Sequence, residues 1–178
     1  IMGKDDVFVV FGSSAGFPSQ LNLSSLDGSN GFVMSRGGEP RNTGRLSFGG
    51  DLNGDGADDL VIGESRADVS AGKTYVVFGH SGVFSSNLDL ATLNGSNGFV
   101  INGIDSDDHL GLAISLGDDL NGDGLDDLVV GAPAADPGNV DYAGETYVIF
   151  GNDVTGYPAE FDLTSLDGTN GFVINGAA

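Results

Sequence analysis

Short apolar runs, separated by polar and glycine-rich turns, recur along the whole chain. The runs are rich in Val, Ile, Tyr and Phe, and each is bounded by Gly, Asn, Asp or Pro. Runs of four to six such residues are typical of β-strands and are too short for buried helices. We predict ten strands, two of them near the N-terminus and eight at Leu46–Gly49, Leu60–Gly63, Lys73–Phe78, Gly98–Asn102, Leu112–Leu116, Leu128–Gly131, Glu145–Phe150 and Gly171–Asn175.

The runs are arranged in repeats. A strand that ends in Phe-Gly occurs at 11–12, 78–79 and 150–151, and a Leu-rich stretch follows each copy. Each copy then reaches Asn-Gly-Phe-Val, which ends at Val33, Val100 and Val173. A period near 70 residues fits a β-propeller blade with long loops. The sequence therefore predicts an all-β fold of propeller blades, each a four-stranded antiparallel sheet.

The repeats divide the chain into two and a half blades. We assign 1–35 to a half-blade, made of its third and fourth strands, 36–103 to a first whole blade and 104–178 to a second. A closed propeller typically has four to eight blades, so one copy of this chain forms an incomplete propeller. Either its blade faces stay exposed, or several copies complete one another, because exposed edges and faces favour association.

An acidic, glycine-rich loop joins the first two strands of each whole blade. Alternate positions in such a loop can direct oxygen atoms towards one centre, and its glycines allow positive φ. The donors are the side chains of Asp51, Asn53, Asp55 and Asp59 with the carbonyl of Ala57, and then Asp119, Asn121, Asp123 and Asp127 with the carbonyl of Leu125. Hard oxygen donors of this number and charge select Ca²⁺, and Mg²⁺ suits a flexible cage less well. We predict two Ca²⁺ sites.

Two other interpretations of these loops fit the sequence less well. Asp-Gly and Asn-Gly also form ordinary hairpin turns, but a turn does not need three converging carboxylates, which repel one another without a cation. The EF-hand carries Glu at the twelfth loop position, where this chain has Ile62 and Val130. We interpret each loop as a nine-residue calcium loop between two strands, with Asp58 and Asp126 facing solvent.

These motifs together resemble the FG-GAP repeat. The resemblance is carried by the Phe-Gly pairs, the Asp-Leu-Asn-Gly-Asp-Gly loops and Gly131-Ala-Pro133, and it covers essentially the whole chain. That repeat builds the seven-bladed β-propeller of integrin α subunits and of many bacterial surface proteins. The resemblance implies that the loop donors named above bind Ca²⁺, and that ligands, in integrins, contact the opposite face. The first whole blade departs from the pattern with Gly63-Glu-Ser65.

Composition excludes several classes of partner. The 178 residues contain 26 acidic and 6 basic side chains, for a formal net charge of −20. This charge argues against nucleic acid and against anionic membranes. The chain also has no apolar run near the roughly 18 residues of a membrane span. We expect no nucleic-acid partner and no membrane insertion. The absence of cysteine favours a bacterial relative over an animal integrin, whose propeller usually carries disulfides.

The basic residues are unevenly distributed. Five of the six lie between residues 36 and 73, namely Arg36, Arg41, Arg45, Arg66 and Lys73. This cluster either compensates nearby acidic loops or forms a contact surface, for example for a neighbouring acidic copy.

Three classes of function follow. The first is a non-catalytic, calcium-binding module of a surface or secreted protein that recognises a protein or a glycan. The second is a self-assembling scaffold, a homo-oligomer formed through exposed blade faces. The third is an enzyme, because Gly12-Ser-Ser-Ala-Gly16 fits the nucleophile-elbow pattern around Ser14. No predicted helix follows Ser14 and the other repeats lack the pattern, so we interpret it as a loop and predict no catalytic residues.

Overall fold

The computed structural model describes residues 6–35, 44–153 and 156–177. The described residues form short β-strands and very little helix, which confirms the all-β prediction. The strands are β1 (Val7–Val10), β2 (Gly31–Ser35), β3 (Arg45–Gly50), β4 (Asp59–Glu64), β5 (Lys73–Val77), β6 (Asn87–Asp89), β7 (Gly98–Asn102), β8 (Ala113–Asp118), β9 (Asp127–Ala132), β10 (Glu145–Ile149), β11 (Glu160–Phe161) and β12 (Gly171–Asn175). The helical segments are α1 (Ala67–Ser70) and four 3₁₀ turns at Leu23–Ser25, Leu90–Thr92, Pro137–Asn139 and Leu163–Ser165.

The strands form three sheets. Their orders are β1-β2-β6, β3-β4-β5-β7-β11 and β8-β9-β10-β12. Residues 6–35 and 81–92 belong to one compact unit, which contains the first sheet, and the other described residues form a second unit with the two larger sheets. The division of the chain at 36 and 104 stays a prediction, and residues 36–43 lie outside the described ranges.

Two strands were not predicted. The Leu-rich stretches contain β6 and β11, and each pairs in parallel with the outer strand of the preceding repeat's sheet. In the first case Asn87 lies opposite Val33, and in the second Glu160 lies opposite Val100. All other strand pairs are antiparallel. Each repeat therefore adds a strand to the sheet of its predecessor.

The middle strands supply the core of the larger unit. Because the run Tyr75-Val-Val-Phe78 is nearly continuous in apolar residues, the sequence predicts a strand that is covered on both faces. Val76 and Val77 of β5 are indeed buried, and so are Val61 and Ile62 of the neighbouring β4. Phe99 of β7 is also fully buried, and its ring stacks on Tyr157 with the centroids 4.5 Å apart.

The first strands of the two larger sheets, β3 and β8, lie in close contact at glycine residues. A Cβ atom on Gly50 would lie 2.8 Å from the Cα of Gly117, which is closer than real Cβ contacts. Both strands also change register beside these glycines, between Phe48 and Gly50 and between Leu116 and Asp118. Glycine at the end of β3 is therefore required by backbone contact with the neighbouring sheet, whereas a Cβ on Gly117 would have its nearest neighbour at 3.5 Å, an ordinary contact.

The sequence raised two questions about the surface, namely whether the chain inserts into a membrane and whether its basic cluster pairs with acidic groups. None of the helices in the described ranges is long and apolar enough to cross a membrane.

Two members of the basic cluster have assigned partners. Lys73 Nζ lies 2.7 Å from Asp68 Oδ2, and Arg45 Nε donates a hydrogen bond to the carbonyl of Leu112 at 3.0 Å. Arg36 and Arg41 lie outside the described residues.

We expect Phe99→Ala to lower the free energy of unfolding by about 3–5 kcal/mol, because it removes a fully buried ring and leaves a cavity. Phe48→Ala is the control, since Phe48 is 77% exposed, and its effect should stay within about 0.5 kcal/mol. Urea denaturation of the two variants measures both values. Equal losses would contradict the assignment of the core.

Candidate metal centre

The two Asp loops connect equivalent strands. The first loop runs from the end of β3 to the start of β4, and the second from the end of β8 to the start of β9. Gly54 and Gly56 adopt φ values of 73° and 85°, and Gly122 and Gly124 adopt 82° and 93°. Glycine is the residue that takes this conformation without strain, in agreement with the positive φ predicted from the loop sequence. The backbone of both loops is therefore curled in the same way.

Side-chain oxygens of the first loop accept hydrogen bonds from the loop's own backbone. Asp51 Oδ1 and Asn53 Oδ1 both accept from the N–H of Asp55, at 3.1 and 3.0 Å. Asp51 Oδ2 accepts from the N–H of Gly56 at 2.8 Å, and Asp55 Oδ1 accepts from that of Ala57 at 2.9 Å. Three of the predicted ligands, Asp51, Asn53 and Asp55, thus accept hydrogen bonds from one short stretch of backbone, residues 55–57.

The second loop repeats this arrangement. Asp119 Oδ1 and Asn121 Oδ1 share the N–H of Asp123, at 3.1 and 2.8 Å. Asp119 Oδ2 accepts from the N–H of Gly124 at 3.0 Å, and Asp123 Oδ1 accepts from that of Leu125 at 2.9 Å. The two loops therefore share these four hydrogen bonds, although they connect strands of different sheets, and the second has one more, from the N–H of Gly122 to Asp119 Oδ1 at 2.7 Å.

Asp59 connects the first loop to the end of the third strand of its sheet. The Asp59 side chain is buried at the start of β4, where its Oδ2 accepts from the N–H of Leu52 at 3.0 Å. Its Oδ1 accepts from the N–H of Gly79 at 2.8 Å. Burial, with a smaller contribution from the nearby charges of Asp51 and Asp55, raises the pKa of Asp59 to about 7 against the lowering effect of these two hydrogen bonds. A cation in the loop would oppose that repulsion.

The glycine of each Phe-Gly pair takes part in this connection. Asp127 repeats the role of Asp59, since its oxygens accept from the N–H groups of Leu120 at 2.8 Å and Gly151 at 2.9 Å. A Cβ atom on Gly79 would overlap the carbonyl oxygen of Asp58, and one on Gly151 would lie 2.6 Å from Leu125 Cβ. The glycine of the Phe-Gly motif is therefore required by the Asp loop, a connection that was not predicted from the sequence because the two motifs are about twenty residues apart.

The predicted ligands are close in the chain but do not form a finished metal cage. In the described ranges, no three or more Asp, Glu or His side chains are grouped tightly enough to hold a metal ion. The carboxylates instead accept N–H bonds, and the Asn53 Nδ2 group donates to Asp55 Oδ2 at 3.3 Å. A carboxylate oxygen that accepts one hydrogen bond keeps a further lone pair. The donor types fit Ca²⁺, and binding would require the side chains to turn towards one centre.

Asp126 does not face solvent as expected. Asp58, its equivalent in the first loop, is exposed, whereas Asp126 is half-buried. Asp126 Oδ2 accepts a hydrogen bond from the N–H of Asp51 at 2.8 Å, so it joins the second loop to the first. The spacing of residues within one loop could not predict this contact, because it depends on how the two sheets pack.

A cleft of about 800 Å³ borders the second loop and is lined in part by Asp123, Tyr157, Glu160 and Asp162.

Ser14 lies in a loop, and the next helical segment of the described chain is the three-residue turn Leu23–Ser25. A nucleophile elbow places its serine between a strand and a full helix, so this geometry supports the loop interpretation.

We expect Asp126→Ala to lower the free energy of unfolding by about 1–2 kcal/mol, because it leaves the N–H of Asp51 without its acceptor. Asp58→Ala changes the equivalent position of the other loop, whose side chain is exposed, and should stay within about 0.5 kcal/mol. Urea denaturation in excess chelator measures both effects without contribution from calcium. If the two variants lose the same stability, the contact between the loops is unimportant.

Comparison with known proteins identifies the repeats. Residues 43–77 and 110–149 match the FG-GAP repeat. The phosphatidylinositol-glycan-specific phospholipase D of Mus musculus is 34% identical over 107 residues, which is 57% of this chain and 12% of that protein. The Rattus norvegicus protein is 36% identical over 107 residues, which are again 57% of this chain and 12% of that protein. The Homo sapiens protein is 33% identical over 119 residues, which are 64% of this chain and 14% of that protein. The chain thus spans only 12–14% of these curated relatives.

The matched segments coincide with the structural features described above. Each segment contains the first three strands of a larger sheet together with one Asp loop. The FG-GAP repeat is a non-catalytic module, whereas the relatives, which are much longer than this chain, carry the name of an enzyme. The antiparallel sheets and these two matches agree on a propeller-like architecture. Residues 43–77 and 110–149 are therefore two FG-GAP repeats, and the nearly all-β structure agrees with the propeller-like fold that these repeats imply.

Proposed function

We propose that the chain is a non-catalytic module that binds one Ca²⁺ in each Asp loop, and that the cation fixes the geometry of these loops. The observation that supports the proposal best is the repetition of one oxygen-rich turn in two sheets. In both turns an Asp and an Asn share one backbone N–H, at Asp55 and at Asp123. A simple hairpin turn has no need for this set of oxygens.

Electrostatics also favours a cation. Each loop gathers three predicted carboxylate ligands, in a chain whose formal net charge is −20. The last of the three is buried at the start of a strand, at Asp59 and Asp127, and is already bonded to two backbone N–H groups. Ca²⁺ held between this carboxylate and the exposed ones would offset their repulsion. It would also attach the tip of the loop to the sheet.

The proposed setting is extracellular or on the cell surface. Extracellular calcium modules bind with dissociation constants of roughly 0.1–1 mM, so they are loaded outside the cell and empty in the cytosol. The known relatives are enzymes of which this region is a small part, so we assign it a supporting role and no step of their reaction. Within this proposal, the rigid loops present a surface that recognises a protein or a glycan.

The cleft beside the second loop is the surface that we propose for recognition. It combines the aromatic rings of Tyr157 and Phe161 with polar groups such as Asn152 and Thr169, a mixture suited to sugars. Binding to an array of immobilised glycans, measured in calcium and again in chelator, tests this part. Calcium-dependent binding supports it, and the absence of any such binding contradicts a glycan ligand.

We expect about 2 mM Ca²⁺ to raise the melting temperature by about 3–14 degrees relative to excess chelator. With dissociation constants of roughly 0.1–1 mM, this concentration is about 2–20 times the dissociation constant, so two sites together add roughly 1.3–3.6 kcal/mol to the free energy of unfolding. Scanning calorimetry measures the shift. An identical melting temperature in both conditions would contradict calcium as part of the fold.

Single-loop variants assign the sites. Asp123→Ala should leave one Ca²⁺ per chain in isothermal titration, and Asp55→Ala combined with Asp123→Ala should leave none. Asp58→Ala, in the same loop as Asp55 but not a predicted ligand, should retain both. Two Ca²⁺ bound by the double variant would show that the donors have been misassigned.

A further inference from the structure

The second Asp loop contacts the first one directly, through its residue Asp126. Asp126 Oδ2 accepts a hydrogen bond from the N–H of Asp51 at 2.8 Å, and the N–H of Asp126 donates to the carbonyl oxygen of Asp51 at 3.4 Å. Both polar groups of the Asp51 backbone are therefore bonded to one residue of the neighbouring loop. Asp51 is the first predicted ligand of its own loop, so a residue outside that loop holds the backbone that carries this ligand.

The following residues of the first loop also contact the second repeat. The carbonyl oxygen of Leu52 accepts a hydrogen bond from the N–H of Asn152 at 2.9 Å, and the Leu52 side chain is fully buried. A Cβ atom on Gly54 would lie 2.8 Å from Asp153 Cβ and 2.9 Å from Leu125 Cδ2. The first loop is therefore packed against the second loop and against the residues that follow the third strand of the second sheet.

The strands that lead into the two loops are joined as well. The N–H of Leu116 in β8 donates to Ser47 Oγ in β3 at 3.1 Å, and the backbones of Gly50 and Gly117 lie in contact at the ends of these strands. All of these residues belong to the same compact unit. The two loops therefore begin on one packed support, and their contact does not depend on a flexible connection.

Asp126 lies between two predicted ligands of the second site. Leu125, whose carbonyl is one of them, precedes it, and the buried carboxylate of Asp127 follows it. When both neighbours are held at one cation, the backbone of Asp126 is fixed and its side chain is kept against Asp51. A single residue that is a predicted ligand of neither site thus connects the two sets of ligands.

We propose that Asp126 is a positioning residue for the calcium site of the first loop and that it couples the two sites, so that each binds Ca²⁺ more tightly when the other is filled. This inference rests on the proposed function, because it concerns the affinity of the same two sites. Packed side chains and hydrogen bonds are a physical route for such coupling. Coupling of binding sites is reciprocal and typically changes affinity by about 5–150-fold.

A chain with one intact site tests the positioning role. Asp123→Ala removes a predicted ligand of the second site, so isothermal titration with Ca²⁺ then measures the first site alone. In that background Asp126→Ala should weaken binding about tenfold, because groups that orient a metal ligand typically have effects of at least this size. Asp126→Asn should retain most of the affinity, since its Oδ1 still accepts the N–H of Asp51.

Asp58→Ala, in the same background, is the control for charge. Asp58 is an exposed carboxylate of the first loop itself and is not a predicted ligand, so its removal should leave the affinity nearly unchanged. Circular dichroism in excess chelator verifies that each variant is folded. Equal weakening by Asp58→Ala and Asp126→Ala would overturn the positioning role, as would an Asp126→Asn variant that binds as weakly as Asp126→Ala.

Three titrations measure the coupling. Asp55→Ala gives the association constant of the second site alone, Asp123→Ala gives that of the first, and the unaltered chain gives two stepwise constants. The product of the stepwise constants should exceed the product of the single-site constants by about fivefold or more. With Asp126→Ala added to all three chains, the two products should become equal. Equal products in the unaltered chain would overturn the coupling and leave the proposed calcium sites standing, whereas an unaltered chain that binds no Ca²⁺ would overturn both.

Discussion

Each larger sheet depends on the hydrogen bonds of one buried carboxylate, which lies at the start of the second strand of that sheet. Asp59 accepts one N–H from the loop before it and another from Gly79, beyond the third strand. It thus ties three successive strands together at one end of the sheet. The contact requires a glycine at position 79, because a side chain there would collide with the backbone of Asp58. The Asp loop and the Phe-Gly pair, which are far apart in sequence, are two halves of one arrangement.

Local sequence was sufficient to predict most of the strands. Runs such as 73–77 carry their own signal, because a strand covered on both faces must be apolar at nearly every position. The strand at 160–161 carries no such signal, since it is two residues long and exists only because β7 offers an edge. The same is true of 87–89. A strand that is defined by its partner cannot be found from its own composition.

The candidate site divides in the same way between local and non-local features. The donors and the positive φ values of Gly54 and Gly56 follow from the loop sequence, because alternating oxygens and glycines have few other arrangements. The role of Asp126 does not follow from it, since that side chain bonds to Asp51 of the other loop. Nor does the sequence show that the carboxylates are directed at backbone N–H groups before any cation is considered. Those bonds give the loop a shape that a cation would adjust rather than create.

Strands β6 and β11 limit where the chain can be divided into stable fragments. Because β6 and β11 complete the preceding sheet, the repeating unit of the sequence is out of phase with the unit of structure. A fragment cut just after β7 would lose β11 and uncover Phe99 and Ile101. A fragment that keeps 157–161 would preserve them, although those residues belong to the next repeat. Stability is then shared between nearest neighbours, as in a one-dimensional lattice, and the boundary of an autonomous folding unit falls inside a repeat.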